Sequence, residues 1–196
     1  MKPVLVIMLK EPRPGRVKTR LGRDIGKIAA TWWFRHQSAR LIRSLRDPRW
    51  QIVLAVAPDL ARTSRIWPAD LPRLAQGSGD LGQRMRRMLC HFNHGNFSQR
   101  PVCLIGADIP WIRRSHIARA FAALGSHDAV FGPALDGGYW LIGAKHPNRL
   151  PKQLFRNTRW SSEHALADTL KGLPDHRVAL IDALQDVDTG ADLKRI

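Results

Sequence analysis

A mostly parallel, three-layer α/β sheet is the fold class this sequence predicts, from two observations. Short aliphatic and β-branched runs alternate with amphipathic segments of helical period along the whole chain. The residues suited to chemistry cluster directly after those runs, where strands of such a sheet would present their carboxyl ends.

The elements follow in order. Val4-Leu-Val-Ile-Met-Leu9 is an unbroken apolar run, the pattern of a strand buried on both faces. It ends at Lys10, and Pro12, Pro14 and Gly15 then enforce a loop. An amphipathic stretch from Asp24, a candidate N-cap, to Leu45 reads as the first helix. Residues 52 to 57 repeat the buried-strand pattern between Asp47-Pro48 and Pro58-Asp59, completing a βαβ unit. A connection broken by Pro68 and Pro72 leads to a short extended piece near Leu74, and Gln76-Gly-Ser-Gly-Asp-Leu-Gly82 opens a helix running to about Phe92. A strand over 102 to 107 finishes at Asp108 and Pro110, with a helix over 115 to 124 behind it. Strands over 129 to 132 and 139 to 144 flank Leu135-Asp-Gly-Gly138, which hints at one pair of mixed direction. A helix over 161 to 170, a strand over 178 to 181 and a small terminal helix after Asp186-Val-Asp-Thr189 close the chain.

At 196 residues the chain fits one domain, residues 1–196, able to bury a core without disulfides or a structural metal. Its apolar residues form separated short runs, none approaching the ~20 needed to span a bilayer, so no membrane segment is expected. The first run is too short for a signal-peptide core, which favours a cytoplasmic protein. Cys90 and Cys103 lack zinc-finger spacing; His91 and His94 follow Cys90, but no fourth ligand lies near, and buried free thiols are expected. The formal charge of +16 attracts polyanions in general, yet arginines are spread along the chain without an RNA-binding aromatic signature. A solvated basic surface is therefore expected ahead of a nucleic-acid partner.

Several segments carry the chemistry. The loop from Lys10 to Leu21 sets Lys10, Arg13, Arg16, Lys18 and Arg20 on a stretch stiffened by Pro12 and Pro14 and opened by Gly15. Guanidinium forks and ammonium point charges suit phosphate oxygens, though neither a P-loop nor a dinucleotide glycine pattern is present. Asp108, after an apolar strand, and Asp188, near the C-terminus, are candidate ligands for Mg²⁺ or Mn²⁺ bridging nucleotide phosphates; each alone reads equally as a cap or turn aspartate. Gly77-Ser-Gly-Asp-Leu-Gly82 could line a base or ribose, or form a turn with Asp80 capping the next helix. Asp136, Gly137 and Gly138 could hold an acceptor or simply turn a hairpin, and one of Tyr139 and Trp140 should fill the core. Trp160 and Ser161 begin the next helix and could wall the acceptor site.

Taken in order, Lys-x-Pro-x-Pro-Gly-x-Val-Lys-Thr-Arg-Leu, Gly-Asp-Leu-Gly-x-Arg-Met, Ile-Gly-x-Asp-x-Pro, Asp-Gly-Gly-Tyr-Trp-Leu-Ile-Gly and Asp-Val-Asp-Thr resemble the DUF2064 group of the GT-A glycosyltransferase superfamily, from Lys10 to Leu193. The resemblance implies a Rossmann-like nucleotide-diphospho-sugar transferase fold that binds a nucleotide in its first half and an acceptor in its second. It also implies that Pro14, Gly15, Arg16, Lys18 and Arg20 hold phosphates, that Gly79, Asp80, Leu81 and Gly82 meet the nucleoside, and that Asp108 and Asp188 take the metal. The first motif is similar, too, to that of 2-phospho-lactate guanylyltransferases. Gly106-Ala-Asp108 departs from the GT-A pattern in having no Asp-x-Asp pair. Two activities follow as expectations. One is transfer of a sugar from a nucleotide-sugar to a small acceptor, with Asp136 orienting that acceptor. The other is nucleotidyl transfer from an NTP, with Lys18 and Arg20 neutralising the α-phosphate and pyrophosphate.

Overall fold

A computed structural model describes residues 1–93 and 100–195. His94 lies outside the described residues. Among the described residues, seven strands form one sheet: β1 (Val4–Lys10), β2 (Gln51–Ala57), β3 (Arg73–Ala75), β4 (Val102–Ile105), β5 (Ala129–Pro133), β6 (Tyr139–Ala144) and β7 (Val178–Leu180), in the order β3-β2-β1-β4-β6-β5-β7. Only β6 runs against its neighbours, pairing antiparallel with both β4 and β5; the other pairings are parallel. The mixed pair anticipated at Asp136-Gly-Gly138 is thus β5 and β6.

Alternation along β1 sorts the core into two halves. Leu5, Ile7 and Leu9 face the half that holds Phe34, Leu41 and Ile42 of α2 (Lys27–Ser44) and Ile117 and Ala120 of α4 (Arg114–Ala123). Val4 and Val6 face the half built from Met85, Met88 and Leu89 of α3 (Leu81–Cys90) and from Leu154 and Phe155, with Leu166 and Leu170 of α5 (Ala165–Lys171) packed against it. Each fully buried aliphatic chain contributes roughly 1.5–3 kcal/mol, so β1, buried on both faces, is a firm base for the loop that leaves its end.

The first helix is not the single span that periodicity suggests. Gly26, at φ 89 and ψ 145, separates α1 (Leu21–Ile25) from α2, and Asp24 lies inside α1 instead of capping it. Its carboxylate accepts the Gly190 N–H at 2.7 Å, clipping α1 to the terminal helix α6 (Gly190–Leu193). The helix expected from Ser161 begins later, at Ala165. Tyr139 and Trp140 both pack inward, on opposite faces as adjacent strand residues must: Trp140 in the half with α2, Tyr139 against the other. Cys103 is buried and Cys90 half-buried, both free thiols.

Asp80 does cap α3. Its carboxylate accepts from Gln83 N at 2.8 Å, while the Gln83 side chain accepts from Asp80 N at 3.1 Å. Asp80→Ala should lower unfolding stability by about 1 kcal/mol, read from the denaturant midpoint. An unchanged midpoint would mean that this end of α3 is held by its packing alone.

Candidate active site

The carboxyl edge of the sheet gathers the predicted chemistry. β2 lies on one side of β1 and β4 on the other, so β1 and β4 flank a reversal of strand order, where open α/β sheets bind ligands. The basic loop leaves β1 there, and Gly106-Ala-Asp108 leaves β4 beside it. The 134 to 138 turn between β5 and antiparallel β6 reaches the same edge. The bridge of Ala134 to Leu184 brings the C-terminal segment alongside.

Lys18 is the hub. It adopts a left-handed conformation, φ 44, beside buried Val17 on a loop whose Arg13, Pro14, Gly15, Arg16, Thr19 and Arg20 are exposed. Only 6% of that side chain is accessible, and its Nζ donates to Asp108 Oδ2 at 2.8 Å and Asp188 Oδ1 at 2.7 Å. Burial alone would lower its pKa; Asp108 and then Asp188 outweigh that and hold the ammonium above its ordinary value. Arg20 Nη1 reaches the other oxygen of Asp188 at 3.2 Å.

Asp186 joins them. Val187 is buried between Asp186 and Asp188, so the two acids fall on the same side of an extended segment. The backbone N–H groups of Asp188 and Thr189 donate to Asp192, and Thr189 caps α6, which fixes this segment. Asp108, Asp186 and Asp188 offer oxygens within 4.8 Å of one another, the one such group of acidic, His or Cys ligands among the described residues. Burial, followed by the neighbouring Asp188 charge, pushes the Asp186 carboxyl up to about 6, and Lys18 opposes that rise. Asp136 adds to it, so its charge acts on the same site. Three carboxylates against Lys18 and Arg20 leave one negative charge, and an all-oxygen donor set of this kind suits a hard divalent cation.

The remaining predicted residues divide. Lys10, Pro14, Gly15 and Arg16 are exposed along the loop, with Gly15 at φ 75. Gly79, Asp80 and Leu81 form the start of α3; a Cβ on Gly79 would lie 2.1 Å from Gln83 Oε1, so the capping glutamine itself occupies the space beside that glycine. Gly82 is buried, and a Cβ there would sit 2.5 Å from Phe155 Cβ and 2.9 Å from the Trp160 ring. The aromatic ring close to this glycine therefore belongs to the protein. Trp160 packs on Tyr139 and Phe155, with centroids 6.4 and 6.1 Å away, while exposed Ser161 sits at φ 57 beside it. Asp136 is exposed; its Oδ1 accepts the Gly138 N–H at 3.0 Å, and Gly137 and Gly138 complete the turn. Sequence reasoning missed Gln76. Its buried amide donates to Leu9 O at 3.0 Å and Ala55 O at 2.8 Å and accepts from Arg84, tying the glycine loop to the ends of β1 and β2.

The family model described as an uncharacterized protein conserved in bacteria (DUF2064) matches residues 41–162, more than half of the chain. The chain belongs to the DUF2064 family. The matched span holds Asp108 and Asp136, whereas Lys18, Asp186 and Asp188 lie outside it. No curated protein matches this DUF2064 chain. Among solved structures, a Desulfovibrio desulfuricans G20 protein provisionally named a nucleotide-diphospho-sugar transferase superposes with a TM-score of 0.89 at 29% identity, over 98% of this chain and 85% of its own. The 4-diphosphocytidyl-2C-methyl-D-erythritol synthase of Anaerococcus prevotii DSM 20548 gives 0.61 at 11% identity, over 99% and 96%. Rv0371c of Mycobacterium tuberculosis H37Rv, in complex with manganese, gives 0.53 at 14%, over 99% and 97%. The three-layer, Rossmann-like fold implied by the DUF2064 motifs is thus the fold this chain has; the two distant likenesses bear on fold alone.

Proposed function

We propose that this chain is a metal-assisted transferase that moves a glycosyl group from a nucleotide-sugar to a small acceptor. The observation that carries the reading is the meeting of Asp108, Asp186 and Asp188 around Lys18 at the strand-order reversal, where Lys18 belongs to a loop that also carries the exposed cations Arg13, Arg16 and Arg20. The donor set fits Mg²⁺ or Mn²⁺, and Asp108, Asp186 and Asp188 would hold it. When bound, the ion neutralises the donor's diphosphate and so stabilises the charge that develops on the leaving group.

The chain's own residues do the rest. Lys10, Arg16 and the backbone at Gly15 bind the phosphates from the solvent side, and Lys18 and Arg20 hold the acidic cluster in register. Asp136 keeps one oxygen on Gly138 and has the other for the acceptor hydroxyl, whose proton it takes as the new bond to the sugar forms and the sugar–phosphate bond breaks. Gly137, Gly138 and Ser161 form the acceptor wall, with Trp160 packed behind them.

Nucleotidyl transfer from an NTP is the second reading. It is favoured by the absence of an Asp-x-Asp pair at Gly106-Ala-Asp108 and by the ammonium of Lys18, which could meet charge at an α-phosphate. Thermal denaturation against NTPs and nucleotide-sugars, with and without Mn²⁺, tests both. A selective, metal-dependent rise of about 2.7 kcal/mol at 100 times Kd is expected for one donor class. Turnover releasing a nucleoside diphosphate supports glycosyl transfer, and release of pyrophosphate replaces it with the second reading. No response beyond that given by inorganic triphosphate overturns both.

A further inference from the structure

The solvent side of α2 carries an unusual stripe. Ile28, Trp32, Arg35, Ala39 and Arg43 follow one another at helical intervals of three or four, so they share one face. Ile28 is 67% and Trp32 53% exposed, large apolar groups where a helix facing water ordinarily shows polar ones. The basic end of the stripe borders a groove that Arg46 and, from the segment between β2 and β3, Arg65 also line, with Ile66 and Trp67 among its apolar lining. Of these four arginines only Arg46 has a carboxylate partner among the described residues, Asp70. The groove reaches Pro12, at the root of the basic loop.

We propose that this face docks on an anionic phospholipid surface, with Ile28 and Trp32 entering the headgroup layer and Arg35, Arg43 and Arg65 meeting lipid phosphates. Charge complementarity chooses the partner: guanidinium groups without acids of their own, beside exposed apolar side chains, match a surface that is negative outside and apolar beneath. A nucleic acid would use the arginines but not Ile28. Nor does Trp32 offer a free stacking platform, because the Arg35 guanidinium lies 5.4 Å from its ring centre and the His36 ring stacks on it at 5.6 Å. No helix among the described residues is long and apolar enough to cross a membrane, so the contact is peripheral. It is independent of the transferase reading.

Co-sedimentation of the full chain with vesicles of phosphatidylglycerol and phosphatidylcholine, against phosphatidylcholine alone, tests this at near-physiological salt. The parent should partition only onto the anionic vesicles. Arg43→Gln with Arg65→Gln should weaken that partition by roughly fivefold per arginine, and Ile28→Ser with Trp32→Ser by about tenfold or more. All four side chains are exposed, so unchanged thermal melts are expected and confirm that folding is intact. Failure to bind anionic vesicles overturns the proposal. So does binding that ignores either pair, or that ignores the apolar pair while polyuridylate competes it away, which would make the face a general polyanion site.

Discussion

Asp108→Asn should lower Mn²⁺ affinity, and with it metal-supported turnover, by roughly 10²-fold or more, while leaving the chain folded. The substitution keeps the shape but removes one of three negative charges, so the cluster goes from one net negative charge to none against Lys18 and Arg20. It also costs Lys18, with its 6% accessible side chain, one of two anionic partners. The ammonium then rests on Asp188 alone, which it neutralises more fully, and a cation's remaining attraction falls further. Titration calorimetry with Mn²⁺ reads the first effect without any substrate. A variant that binds Mn²⁺ within threefold of the parent would reduce Asp108 to a turn residue that anchors Lys18. A variant whose melting point collapses would instead mark the Lys18 cluster as structural before it is functional.

The inner strands β1, β2, β4, β5 and β6 were legible because they are short apolar runs punctuated by proline, glycine or aspartate, and such runs have few other ways to be buried. The order β4-β6-β5 was not, since the Asp136-Gly-Gly138 turn signals an antiparallel pair without saying which neighbour β6 accepts on its other edge. The split of the first helix rests on one residue, Gly26, whose positive φ a period of 3.6 does not reveal. At the site, chemistry was easier to read than contact. Basic and acidic residues stood out after the strands, but the loop lysine meets carboxylates 90 and 170 positions away, and no local pattern encodes that closure. Asp186 could have been found: an acid two residues before Asp188, across a valine, shares its face if the segment is extended and the valine buried. Gln76 gave no signal, because a buried glutamine linking three strands looks like any polar loop residue.

Gly137→Ala should be the most damaging single-methyl change near the site, for two separable reasons. Its backbone sits at φ 82, where an L side chain costs roughly 1–2 kcal/mol. An added Cβ would also lie 2.1 Å from the Glu163 carbonyl oxygen and 2.5 Å from the adjoining backbone carbons, and backbone cannot swing away as a side chain can. The Leu166 N–H donates to Gly137 O at 3.0 Å, so separating the two segments breaks that bond as well. Together these give a loss of about 3 kcal/mol or more, a fall in Tm of roughly 6–12 °C for a domain of this size. Gly15→Ala is the matched control. It has a similar φ of 75, but its nearest atom is Lys27 Cδ at 3.8 Å, so only the conformational cost of about 1–2 kcal/mol applies. Equal melting shifts in the two variants would show that the 161 to 165 segment yields freely. A larger shift at Gly137 would establish that this segment and the turn carrying Asp136 are one rigid wall, joined at Glu163 by a contact only glycine permits.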